Sequence, residues 1–238
     1  MTQARQEGVV QTLRVAPGGG QVFYASAPDT ASPVRQAENR CRIAGLLCEH
    51  LRAQETPLWK NHPICDSVEH PLQITRDALG RPRLLWGEYA GPSISFSRAG
   101  EEIWAALSGD ESDIGIDVAG SAEFREGYPA HRVCDVQELE QALGLADGDV
   151  ASALALLWSV KEAVVKALGC AFHFADPRDI HVQPAAAEEG GHAFSACLSG
   201  KALVRFSGTG CHPISVRSVP QTGAWLSIAA VRLPQYSD

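Results

Sequence analysis

The stretch LLWSVKEAVVKALG, Leu156 to Gly169, sets Lys161, Glu162 and Lys166 among apolar residues. On a helix of 3.6 residues per turn, Trp158, Glu162 and Lys166 fall at i, i+4 and i+8 and share a face, and Leu154 extends that stripe one turn back. Lys161 lies to one side, and the apolar stripe through Leu156, Leu157, Val160, Val164 and Leu168 faces elsewhere. Glu162 and Lys166 are then either a solvent-exposed pair contributing about 0.2–0.5 kcal/mol, or members of a site. A second stretch, SDIGIDVAG (Ser112 to Gly120), puts Asp117 inside a β-branched strand between Gly115 and Gly120. Asp is depleted in strands, and burying its charge is costly unless it is paired or metal-bound. Asp117 is therefore either a strand-end Asp satisfied by backbone amides or a ligand. A strand Asp and a helix Glu can converge on one divalent cation. Mg²⁺ takes one or two carboxylates, keeps waters and completes its shell with phosphate oxygens, and neighbouring lysines would neutralise those phosphates. This is the outline of a phosphate-ester or pyrophosphate site.

The elements that must position these residues are readable from periodicity and punctuation. QVFYAS reads as a strand between two loop segments, APGGG and SAPDTASP. Pro33 to Glu55 reads as a helix, with Ile43, Leu46, Leu47 and Leu51 at helical spacing and arginines between them. LQITRDALGRPRLLW reads as strand, turn at Leu79–Pro82, and strand; PSISFS, EIWAALSG and DIGIDVAG read as further strands. VQELEQALGL is a short helix. A longer one runs from Val150 to Leu168, with Asp149 as N-cap and Gly169 as C′ residue. DIHVQPA, AFSACLSG, ALVRFSG, HPISVRSVP and WLSIAAVRL read as strands. Each half is thus one long helix plus mostly antiparallel strands, an α+β pattern, with the halfway point near Asp110–Asp113.

Composition bounds the function. The 238 residues carry a net charge of −8, with 45% apolar and 20% charged residues, as in an ordinary globular protein. A large nucleic-acid footprint is not expected, although a local basic patch is compatible with that charge. Seven cysteines, an odd number with no C-x-x-C, speak against a disulfide framework or a zinc site. His173 near Cys170 and His212 beside Cys211 lack metal-ligand spacing. No G-x-S-x-G and no P-loop Lys-Ser/Thr is present. The opening segment has no apolar h-region, and the longest apolar run is too short to span a bilayer. The expectation is a cytoplasmic protein that engages neither membrane nor nucleic acid.

GIDVA followed about forty residues later by WSVKEAVVKALG resembles the 4′-phosphopantetheinyl transferases, whose signature is G-[IV]-D and then W-x-x-K-E-x-x-x-K. The length is similar to that of the large, pseudo-dimeric kind that primes polyketide and peptide synthetases. GRPRL (Gly80–Leu84), SISFSRAG (Ser93–Gly100), AHRVCDVQELEQAL with Glu138 at an acidic position, and the basic helix RQAENRCRIAGLLCEHL resemble further family segments. The resemblance implies two similar α+β subdomains, residues 1–112 and 113–238, related by a pseudo-twofold in a monomer, with coenzyme A in the cleft between them. It implies transfer of 4′-phosphopantetheine from coenzyme A to a serine of an acyl- or peptidyl-carrier protein, releasing 3′,5′-ADP.

In that reading Asp117 and Glu162 hold Mg²⁺, or Mn²⁺, against the pyrophosphate. Glu162 or a metal-bound water takes the serine proton, and Lys166 contacts a phosphate oxygen. Lys161 faces phosphate too, unless it is tied up in a salt bridge. Arg81, in the segment with Pro82, binds the 3′-phosphate of the donor, Ser95 lies near the phosphates, and Arg40 or Arg42 helps hold the nucleotide. Trp158 packs to fix the helix. Two departures stand out. Ala119 occupies the place where the large kind usually has a second acidic residue, and Phe96 stands where the family usually has a phosphate-contacting His, with Arg98 a candidate replacement donor. The alternative is a weakened homologue that binds coenzyme A or a carrier protein without turnover.

Overall fold

The structure is a computed structural model that describes residues 9–16, 19–29, 32–54, 72–125, 128–170, 172, 175–188, 190–206 and 213–232. Cys65, His173, Cys211 and His212 lie outside the described residues. The first part of the chain runs β1 (Gln11–Arg14), β2 (Gln21–Pro28), α1 (Pro33–Ala53), β3 (Leu72–Arg76), β4 (Pro82–Trp86), β5 (Tyr89–Ala90), β6 (Ile94–Ala99) and β7 (Glu102–Ser108). The second runs β8 (Asp113–Gly120), α2 (Val136–Leu145), α3 (Val150–Ala167), β9 (Ile180–Glu188), β10 (Gly191–Leu198), α4 (Gly200–Arg205), β11 (Ile214–Gln221) and β12 (Ala224–Val231). The fold is α+β, with antiparallel sheets ordered β1-β2-β7-β6, β8-β12-β11-β10-β9 and β3-β4-β5.

The period-2 alternation of the strands builds four layers. Phe23, Ala25 and Ala27 of β2 and Ile103, Ala105 and Leu107 of β7 pack against Ile43, Leu47 and Leu51 of α1. The alternate residues, Val22, Tyr24, Trp104 and Ala106, meet Ile114, Ile116 and Val118 of β8 and Leu226 and Ile228 of β12. The far face of the second large sheet buries α3. The layers are therefore helix, sheet, sheet, helix. A common core of strand, long helix, intervening strands and two final strands recurs in both parts, with β1, α2 and α4 outside it. In each, the first strand (β2, β8) pairs with the last (β7, β12), the penultimate strand (β6, β11) flanks the last, and a long helix (α1, α3) packs on the first–last pair.

α3 starts and stops where its sequence dictates. Asp149 Oδ1 accepts from Ala151 N at 3.0 Å. At the other end Gly169 has φ +78°, and the Gly169 N–H to Lys166 O and Cys170 N–H to Val165 O bonds close a Schellman motif. From Ala153 to Ala167 only Trp158, Glu162 and Lys166 escape full burial, so the stripe read from the sequence is the open side of an otherwise enclosed helix. Among the described residues no single helix is long and apolar enough to cross a membrane.

One expected element is of a different type. ALVRFSG, read as a strand, contributes Ala202–Arg205 to helix α4. Asp179 decides this from outside the segment. Its Oδ2 accepts from Lys201 N at 3.1 Å and Ala202 N at 3.4 Å, satisfying the free amides of the first turn. Val204 is 79% exposed, so its β-branching gains no packing that would favour a strand. Strands β1 and β5 are further elements that the sequence reading did not contain.

Candidate functional site

Asp117 and α3 are brought together by a glycine. On β8, Gly115, Asp117 and Ala119 share the face toward α3. A Cβ at Gly115 would collide with the Ala163 carbonyl oxygen and the Ala167 amide. The helix backbone thus rides directly on the strand, one residue pair before the carboxylate. This close approach sets Lys166 Nζ 2.8 Å from Asp117 Oδ1 and 3.1 Å from the Ile116 carbonyl oxygen. Lys166 Nζ is 3.9 Å from Glu162 Oε1, one turn earlier on α3. The ion pair with Asp117 is the shorter, and the Glu162–Lys166 pair forms beside it as a half-buried contact and not as a solvent-exposed one. Asp117 is 6% exposed and also accepts from Ser97 Oγ at 2.8 Å. Burial pushes the Glu162 carboxyl above the usual carboxylate range; Lys166 opposes that shift and Asp117 adds to it.

Glu162 and Lys166 open onto a cleft of about 450 Å³, a size typical of small-molecule sites; Asp117 does not line it and is joined to it through its bond to Lys166. Of the residues expected to act, Arg40, Arg81, Pro82, Ser95, Glu162 and Lys166 all line it, with Phe96 between them. Arg40, Arg76, Arg81 and Lys166 face Glu162 there, so the cleft is cationic on a chain whose net charge is −8.

Each arginine is held by its own element. The β3–β4 turn is tied by Asp77 Oδ1, which accepts from Leu79 N and Arg81 N at 3.0 Å, with Gly80 at φ +85°. Arg81, 6% exposed, donates from Nη2 to Ser93 Oγ at 3.0 Å and Asp113 Oδ1 at 2.6 Å. Arg40 of α1 lies over the Phe96 ring, 5.9 Å from its centroid, within cation–π reach. The Nε atoms of Arg40 and Arg81 are buried without a hydrogen-bond partner. Ser95 Oγ accepts from Ile116 N at 3.1 Å.

Three expected residues are placed elsewhere. Lys161 does not face the cleft. It is fully buried on another side of α3, with Nζ 2.8 Å from Glu138 Oε2 and 3.1 Å from Pro177 O. A buried ammonium needs a carboxylate and further acceptors, and α2 supplies that carboxylate. Arg42 is exposed and lines no described cleft. Arg98 pairs with Asp29 and lines a smaller adjoining cleft of about 170 Å³, which shares Arg40, Phe96 and Lys166 with the larger one.

Ala119 is 2% exposed in the apolar core, and Trp158 packs between Phe124 and Phe172. Among the described residues no group of three or more His, Cys, Asp or Glu could hold a metal. The pair Asp117 and Glu162 nonetheless fits Mg²⁺, which needs few protein carboxylates when phosphate oxygens complete its shell. Both are hard oxygen donors, and burial together with Asp117 disfavours the Glu162 anion more than Lys166 offsets. Two residues that shape the site had no role in the sequence reading, Gly115 and Ser97. Gly115 could have been found as the residue two before Asp117, hence on its face. Ser97 was visible in the alternation of SISFS.

Residues 113–205 match the family model of the 4′-phosphopantetheinyl transferase superfamily. Among solved structures, the chain is similar to the holo-[acyl-carrier-protein] synthase of Neisseria meningitidis, with 19% identity over 50% of this chain and 97% of that one and a TM-score of 0.39. No curated protein sequence matches it. The family match begins at the first residue of β8 and ends at the last of α4, and so contains Asp117, Glu162 and Lys166. By that segment, residues 113–205, this chain is similar to the 4′-phosphopantetheinyl transferase superfamily.

Proposed function

We propose that this protein transfers 4′-phosphopantetheine from coenzyme A to a serine of an acyl- or peptidyl-carrier protein, as a cytoplasmic monomer of the large, pseudo-dimeric kind. The observation that carries the reading is the convergence of Glu162 and Lys166 with Arg40, Arg81 and Ser95 on one cationic cleft, with Asp117 paired to Lys166 at its edge. Residues 1–112 and 113–238 are the two subdomains in this proposal. The recurrence of strand, helix and flanking strands on both sides of that division supports it.

Asp117 and Glu162 would hold Mg²⁺, which when bound supplies charge neutralisation at the pyrophosphate. Arg81 and Arg40 bring cationic groups to the phosphates of the donor. Arg81 is immobilised by Asp113 and Ser93, so its fork is set before ligand arrives. Lys166 neutralises the phosphate from the α3 side. The serine oxygen of the carrier attacks the β-phosphorus and the bond to the departing 3′,5′-ADP breaks. Glu162 accepts the serine proton, directly or through a water.

The test is the intact mass of an apo carrier protein after incubation with this protein, coenzyme A and Mg²⁺. A gain of one phosphopantetheine is expected, lost with EDTA, Asp117→Ala and Glu162→Ala. No gain with several carrier proteins, while coenzyme A still raises the melting temperature, would leave a binding protein without turnover. The apolar burial of Ala119 is the feature that favours that second reading.

A further inference from the structure

β8 is the edge strand of its sheet, so half of its amides have no strand to pair with. β6 and Ser93, the residue just before it, answer them with side chains. Ser93, Ser95 and Ser97 recur at period 2, and their Oγ atoms accept from Ile114 N, Ile116 N and Val118 N at 3.2, 3.1 and 3.2 Å. The two sheets are thus joined at this edge by a ladder of hydroxyls. A serine hydroxyl has one hydrogen to give. With its acceptor side turned to Val118 N, Ser97 directs that hydrogen to Asp117 Oδ1, 2.8 Å away. Neither Ser93 nor Ser95 donates to a carboxylate among the described residues. Lys166 Nζ donates to the same Oδ1 at 2.8 Å. One oxygen of Asp117 therefore carries both donors, and among the described residues Oδ2 carries none.

We propose that Ser97 is the positioning residue of the Asp117 carboxylate, turning it so that Oδ2 is the oxygen that meets a divalent cation. The inference rests on the metal reading given above. Without Ser97 the carboxylate is held only by the mobile end of a lysine and can rotate about its χ2 bond. Hydrogen bonds that orient metal-binding carboxylates govern affinity by about 10–100-fold.

The test uses Mn²⁺ alone as probe, titrated into the full chain without coenzyme A and read by the electron paramagnetic resonance signal of the free ion. Ser97→Ala is expected to weaken Mn²⁺ binding by about 10-fold or more, and Ser97→Thr, which keeps the hydroxyl, to restore it. In turnover assays Ser97→Ala should raise the KM for Mg²⁺ more than it lowers kcat at saturating Mg²⁺. Ser95→Ala removes a neighbouring rung and no bond to Asp117. It should lower the melting temperature as much as Ser97→Ala and leave Mn²⁺ affinity unchanged. Wild-type affinity in Ser97→Ala, with Asp117→Ala unable to bind, overturns the positioning role and leaves the metal site standing. Equal Mn²⁺ binding by wild type and Asp117→Ala overturns the metal reading itself, and this inference with it.

Discussion

At the residue scale, the two carboxylates expected to hold the metal already share a cation. Lys166 sits between Asp117 and Glu162, at 2.8 and 3.9 Å, and already compensates much of their charge. A divalent ion arriving without a polyphosphate meets that ammonium. Lys166→Met should therefore bind Mn²⁺ several-fold tighter than wild type in the absence of coenzyme A. Its kcat should fall by about 10²-fold, the scale of one lost electrostatic contact to a transferring phosphoryl group. Calorimetric titration and single-turnover kinetics on the same sample separate the two effects, and weaker Mn²⁺ binding would refute the first.

Glu162 makes a complementary prediction. Its folded-state pKa is raised, by burial first and by Asp117 in addition. The folded state thus prefers the protonated acid, and ionisation costs stability above that pKa. Glu162→Gln should abolish transfer yet raise the metal-free melting temperature at pH 7 by a few degrees. The gain should shrink as the pH falls through the raised pKa, where wild-type Glu162 takes up its proton. A gain that persists unchanged at acid pH would point to packing instead of charge.

At the element scale, α3 shows what a sequence discloses and what it withholds. Its caps, its length and its single open stripe were legible because each is written within the segment, as Asp149, Gly169 and the i, i+4, i+8 spacing of Trp158, Glu162 and Lys166. The fate of Lys161 was not, because its partner Glu138 lies on α2, and α4 was misread because its cap, Asp179, lies outside it. Convergence of Arg40, Arg81 and Ser95 was suggested by resemblance, and physically it needs α1, the β3–β4 turn and β6 to meet at one cleft. Glu138 also accepts from Val182 N and Asp135 N, both by its side chain, so the Lys161–Glu138 pair ties α2, α3 and β9 together. Breaking a buried pair from one side costs about 3–5 kcal/mol. Lys161→Met should lose about that much in urea unfolding, and Lys161→Met with Glu138→Gln should lose less than the sum of the single changes. Strict additivity would show that the pair contributes no coupling.

At the scale of the whole molecule, the two parts of the chain share a core. Val22, Tyr24, Trp104 and Ala106 from the first face Ile114, Ile116, Val118, Leu226 and Ile228 from the second, all buried. The serine ladder satisfies β8 amides with side chains of β6 and of Ser93 just before it. If the first part melted alone, it would strip one wall from this core and orphan those amides at once. Each exposed large apolar side chain costs about 1.5–3 kcal/mol and each unsatisfied amide a further 1–3 kcal/mol or so. Those costs are comparable to the whole stability of a domain, so neither part should unfold by itself. Scanning calorimetry should therefore show one transition with equal calorimetric and van't Hoff enthalpies. The cleft is walled by both parts, Arg40 and Arg81 from the first and Glu162 and Lys166 from the second. A ligand bound there stabilises both together, and coenzyme A with Mg²⁺ at a hundred times its Kd should add about 2.7 kcal/mol to the single transition. Two resolved transitions, with coenzyme A moving only one of them, would place the ligand on one part and contradict a cleft built by the joint.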